Sequence, residues 1–176
     1  MDTKPKGAIV KALTGENLRG KGKCAAAQSL LVFLSLGLIL LLFDLALQGV
    51  IVASLGASSF ILFVTPHTAS SRTANLVGGY ICACVSGVLL GFAHEAIRAL
   101  DFERVHLALI IVCACAAAAT MFLMVYTGFV HPPSAALALG LAADTHGIRT
   151  AAAALLGIAV LCAVRNLLKK HLKNLV

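Results

Sequence analysis

The chain has 176 residues, of which 60% are hydrophobic and 12% charged, and a formal net charge of +7. Soluble domains carry about twice that fraction of charge, so the composition predicts an integral membrane protein and argues against a soluble enzyme. Nor does the charge point to nucleic acid. Lys4, Lys6, Lys11, Arg19, Lys21 and Lys23 precede the first apolar run, and Arg165, Lys169, Lys170 and Lys173 follow the last. Cations placed in this way set topology and meet anionic membrane lipid.

Residues 1–23 read as a basic cytoplasmic segment. Four stretches, 24–43, 74–93, 105–128 and 150–168, approach the roughly 20 apolar residues that a helix needs to cross a hydrocarbon core. Two others are interrupted. Residues 45–64 contain Gly49 and Gly56-Ala57-Ser58-Ser59 and run up to Pro66, and 131–143 opens His131-Pro132-Pro133. A helix over 132–143 rises only about 18 Å, too little to span. Residues 169–176 form a second basic cytoplasmic tail. The expected fold is therefore an all-α membrane protein with four transmembrane helices plus two short broken or re-entrant helical segments, its membrane domain covering 24–168. This arrangement puts both termini and the 94–104 loop on the positive, cytoplasmic side, with twelve basic residues, and the 65–73 and 144–149 loops outside with Arg72 and Arg149. Six full spans would change the split to eleven and three. In a bacterium the membrane would be the inner membrane.

The second long stretch carries Gly79, Ala83, Gly87 and Gly91 at every fourth position, the pattern that lets membrane helices approach closely. A lone copy buries little protein surface, so a homo-oligomer is expected. Cys82-Ala83-Cys84 and Cys113-Ala114-Cys115 do not suggest a metal site, because helical residues two apart point about 200° from one another. Buried small apolar side chains explain them better. No phosphate loop, zinc-protease pattern or nucleophile elbow is present, so neither enzyme chemistry nor a cofactor is expected.

A weak two-fold internal repeat joins about 24–93 to 105–168. Arg72-Thr73-Ala74 opens one long helix and Arg149-Thr150-Ala151 another, while Ala57-Ser58-Ser59 lies where Pro133-Ser134-Ala135 lies in the second half. Interrupted segments at equivalent places in two halves are a sequence pointer to a transport site.

The run His131-Pro132-Pro133-Ser134-Ala135-Ala136 resembles the signature of the HPP family of small integral membrane proteins. Ala53-Ser54-Leu55-Gly56-Ala57-Ser58-Ser59, Pro66 and Asn75-Leu76-Val77-Gly78-Gly79 match its other recurrent stretches in order. The resemblance implies a four-span bundle and, from plant and cyanobacterial relatives, nitrite transport.

The residues themselves suggest how an anion would be held. Breaks at 56–59 and 131–134 would free backbone donors at helix starts, which favour anions. Ser58, Ser59, His131 and Ser134 are thus the expected site residues, with Arg72 and Arg149 drawing the ion toward a shared outer mouth. His131, held out of helix by the prolines after it, suits a cap or a hydrogen bond across the break, and its near-neutral titration opens a proton-linked role. The expected function is a channel or secondary transporter for a small inorganic anion, and the alternative is a scaffold or sensor subunit that moves nothing.

Overall fold

Long runs of alanine, leucine and valine in hydrocarbon must satisfy their own backbone polar groups, which leaves helices as the local solution. The computed structural model describes residues 15–42, 49–100, 105–144 and 147–175, and among these it contains helices and no strand. The helices are α1 (Gly15–Leu42), α2 (Gly49–Val64), α3 (Thr73–Ala99), α4 (Val105–Thr127), α5 (Pro133–Ala143) and α6 (Gly147–Leu168), with a 3₁₀ turn at Ala69–Ser71. Among the described residues three helical stretches are long and apolar enough to cross a membrane: Thr73–Ala99, Leu107–Thr127 and Gly147–Leu168. The expected first span, 24–43, falls in α1, which runs to Leu42.

Hydrogen bonds fix the direction of each helix. The Leu175 amide donates to the Val64 carbonyl at 3.0 Å, Arg165 Nη2 to the Pro66 carbonyl at 2.7 Å, and Gln28 Nε2 to the Lys173 carbonyl at 3.0 Å. The end of α2, the 65–72 loop, the end of α6 and the first half of α1 therefore share one end of the bundle, here the tail end. At the far end, Gly140 near the close of α5 lies against Val50 at the start of α2, and Gly147 at the start of α6 lies beside the Leu141 carbonyl. Successive helices thus run in alternating directions. The order longer helix, shorter helix, longer helix occurs twice, traversed in opposite senses.

This arrangement corrects two expectations. First, 45–64 is not broken at 56–59: α2 is one continuous helix, and the Ser59 hydroxyl donates to the Leu55 carbonyl of its own helix at 2.8 Å. A helical glycine costs only about 1 kcal/mol relative to alanine, too little to break a helix that buries Leu55, Leu62 and Phe63 completely. Second, neither short segment dips in and returns. Each runs from one end of the bundle toward the other, so the 65–72 loop lies with the C-terminal tail, whereas 144 and 147–149 lie at the far end.

The chain does break where the prolines stand. Gly128, with φ of 77°, ends α4 in the left-handed conformation that glycine adopts without strain. Residues 129–132 are then irregular until Pro133 starts α5 at its first turn, where a missing N–H costs nothing. α3 is the central element, packing on α4, α5 and α6. Its small-residue face meets α5 as expected: a Cβ on Gly87 would lie 2.8 Å from the Ala138 carbonyl oxygen, and one on Gly91 would lie 2.9 Å from that of Leu141. Ser86 and Thr120 hydrogen-bond α3 to α4.

Candidate functional site

Three elements of the first half and the opening of α5 converge on a buried polar chain. Ser54 and Ser58 are four apart on α2, so both face the same neighbour. Tyr80 comes from the second turn of α3, Ser70 from the 3₁₀ turn, and His131 from the irregular stretch before α5. Ser54, Ser58, Tyr80, His131 and Ser134 have 0% exposure.

The contacts form a sequence. His131 Nδ1 lies 3.1 Å from the Ser70 carbonyl, and Nε2 lies 2.9 Å from Ser58 Oγ. Ser58 Oγ is 3.0 Å from the Tyr80 hydroxyl, which is 3.1 Å from Ser54 Oγ. Ser54 then donates to the Pro133 carbonyl at 2.9 Å. A carbonyl only accepts, so Nδ1 carries a proton, and in neutral imidazole Nε2 is the acceptor of the Ser58 hydroxyl proton. The His131 amide points to Met124 Sδ at 3.5 Å. Ser134 stands apart from this chain, because its buried hydroxyl has no hydrogen-bond partner among the described residues. Buried hydroxyls are rarely left so, and each instance calls for an explanation.

Of the expected site residues, Ser58 and His131 are in direct contact, and Ser134 lies in the same turn region. Gly79 of α3 is their common neighbour, since a Cβ there would meet both His131 Cβ and Ser134 Oγ within 3 Å. Ser59 is buried but turned to its own helix. The backbone donors expected to be free are committed: the Ser134 amide donates to the His131 carbonyl at 3.0 Å, and that of Ala135 to the Pro132 carbonyl at 3.1 Å. Arg72 and Arg149 are exposed at opposite ends of the bundle and form no shared mouth. Tyr80, Ser54 and Ser70 were missed. The four-residue spacing of Ser54 and Ser58 was the signal for one of them; the other two had none. The two thiols of Cys82-Ala83-Cys84 face different partners, Thr127 and the Ala151 carbonyl.

A polar chain enclosed by long apolar helices with exposed apolar surfaces fits a helical integral membrane protein with a buried hydrophilic centre. The HPP transmembrane-region family matches residues 19–175, most of the chain, and the protein belongs to that family. No curated protein and no solved structure matches it.

Proposed function

We propose that the protein is a secondary transporter or channel for a small inorganic anion, with the Ser58–Tyr80–His131–Ser134 region as its binding centre. The observation that carries this reading is the fully buried hydroxyl of Ser134, unpartnered beside a polar chain that joins the first half to the second. A scaffold would gain nothing from an unpaired donor there, whereas a transported ion would be its partner. Oxyanions suit the centre because its side chains are hydroxyl, phenol and imidazole, with no carboxylate among the contacts described. Nitrite, the ion implied by the family resemblance, is the first to test.

The opposed directions of the two helix triplets support an inverted repeat, in which Arg72 and Arg149 become equivalent residues, one at each face. An approaching anion then meets one arginine from either side. With six crossings, eleven basic residues fall on the tail side and three, Arg98, Arg104 and Arg149, on the other. That makes the tail side cytoplasmic, facing the interior across an inner membrane if the source is bacterial. The exposed apolar surface of α4, with Met121, Phe122, Val125 and Tyr126, is the surface proposed for lipid and for a second copy of the chain.

The test is flux of a panel of anions into liposomes containing the purified protein. Ser134→Ala is the informative variant, because the hydroxyl makes no bond that the fold would lose. Anion uptake should fall several-fold while thermal stability is unchanged. Equal uptake by variant and parent at limiting nitrite refutes the site.

A further inference from the structure

We infer that a proton travels with the anion, bound on Nε2 of His131. This rests on the proposed anion transport and adds what accompanies the ion. The argument is a count of hydrogens. Five contacts link Ser70, His131, Ser58, Tyr80, Ser54 and Pro133, and both terminal groups are carbonyl oxygens that only accept. With neutral His131 the chain owns four protons: one on Nδ1 and one on each of the three hydroxyls. Four protons cannot fill five contacts. However the hydroxyls rotate, one pair of acceptors near 3 Å has no hydrogen between its members.

One added proton completes the chain. With Nε2 protonated, Nδ1–H donates to Ser70, Nε2–H to Ser58, Ser58 to Tyr80, Tyr80 to Ser54, and Ser54 to Pro133. Every contact then holds one hydrogen and every donor has an acceptor. The step forms a single N–H bond, using the Nε2 lone pair and a proton from water on one side of the membrane. Release on the other side reverses it, with no redox change.

Charge explains why the proton needs an anion. His131 is fully buried, and among the described groups that contact it Tyr80 is the one other titratable side chain. The neighbours from the other elements are Ser58 of α2, the Ser70 carbonyl of the turn and Met124 of α4. None carries a charge to balance an imidazolium, and an uncompensated buried charge is costly. A lone anion there has the same difficulty. Together they are neutral, so each raises the affinity for the other. The unpartnered Ser134 hydroxyl, which shares Gly79 as a neighbour with His131, supplies a donor for the anion.

The experiment uses the full chain in liposomes, with labelled nitrite as the probe, near neutral pH, and protein-free vesicles to subtract passive entry of nitrous acid. Coupled one-to-one movement is electroneutral: accumulation should rise about tenfold per unit of pH gradient, acid outside, and be unchanged when a potassium gradient with ionophore sets the membrane potential. His131→Gln should abolish the response to the pH gradient. Tyr80→Phe is a second variant that spares the imidazole. It removes two contacts and one proton, leaving three of each with neutral His131, so its dependence on the pH gradient should also weaken. Uptake that follows membrane potential and ignores the pH gradient leaves anion transport standing and overturns proton carriage. Full coupling retained by a folded His131→Gln protein overturns His131 as the carrier. No protein-dependent nitrite uptake under any gradient removes the transport reading itself.

Discussion

Adding one methyl group at Gly87 tests whether the seam between α3 and α5 holds the bundle together. The new Cβ would lie 2.8 Å from the Ala138 carbonyl oxygen, 2.8 Å from Leu141 Cβ and 3.0 Å from Ala138 Cα. Two of these atoms are backbone and cannot swing aside, so the helices must separate by a few tenths of an ångström along a seam that also includes Gly91. Overpacking of this kind costs about 1–3 kcal/mol, while replacing a helical glycine by alanine returns about 1 kcal/mol of propensity. The expected net loss is about 0–2 kcal/mol, and Gly87→Leu should disrupt the fold altogether. Gly56→Ala is the control. Gly56 is helical, and a methyl group added there would have nothing within 4 Å, so the variant should gain up to about 1 kcal/mol. Both variants can be unfolded from detergent micelles with sodium dodecyl sulfate and followed by circular dichroism. A Gly87→Ala protein as stable as Gly56→Ala would mean that the α3–α5 approach is looser than these distances require.

Topology is checked by single cysteines in a background with all six native cysteines replaced: Thr68→Cys and Lys170→Cys should react from the same side and Ile148→Cys from the opposite one. Reaction of positions 68 and 148 from one side would restore the four-span arrangement. Deleting 172–175 should lower the unfolding midpoint, because it removes the buried Leu172 and the bonds from Gln28 to the Lys173 carbonyl and from the His67 amide to Asn174. An unchanged midpoint would show that the tail only rests on the 65–72 loop.

Packing was more legible in the sequence than direction. The Gly79, Ala83, Gly87, Gly91 spacing reported the α3–α5 seam because small residues four apart form one helix face whatever lies opposite. Pro132 and Pro133 marked the start of α5 through a local steric rule. The apolar runs located α3 and α6 to within a few residues at their starts. α3 continues past its apolar run to Ala99, and Glu95 and Arg98 pair at 2.9 Å on its polar last turns. Direction was not legible because hydropathy cannot tell a continuous crossing from a return, and a glycine such as Gly56 costs a helix only ~1 kcal/mol, too little to break it. The buried cluster was half legible. Its members Ser58, His131 and Ser134 stand in sequence motifs, but Tyr80 meets Ser54 and Ser58 across 26 and 22 residues, and Ser70 meets His131 across 61. Such pairings belong to the tertiary fold. The position of the arginines was not legible for the same reason: Arg72 and Arg149 open helices in the same local sequence, Arg-Thr-Ala, but lie at opposite ends of the bundle.

Gly79 shows why the packing and the polar chain are one structure. A side chain there would collide with His131 Cβ at 2.8 Å and Ser134 Oγ at 2.9 Å, the two residues on either side of the proline pair. The prolines hold His131 out of helix, and the absence of a Cβ on α3 gives its imidazole room to lie between Ser58 and the Ser70 carbonyl. The same vacancy brings Ser134 close to the histidine without giving it a partner. Further along the seam, Gly87 and Gly91 accept backbone carbonyls in place of functional side chains. The stripe of small residues therefore does two jobs by depth: at its tail-end turn it makes space for polar groups, and beyond that it lets two helices touch backbone to side chain. A change at Gly91 acts on stability alone, whereas a change at Gly79 acts on the geometry of the buried chain, and through it on any ion that the chain binds.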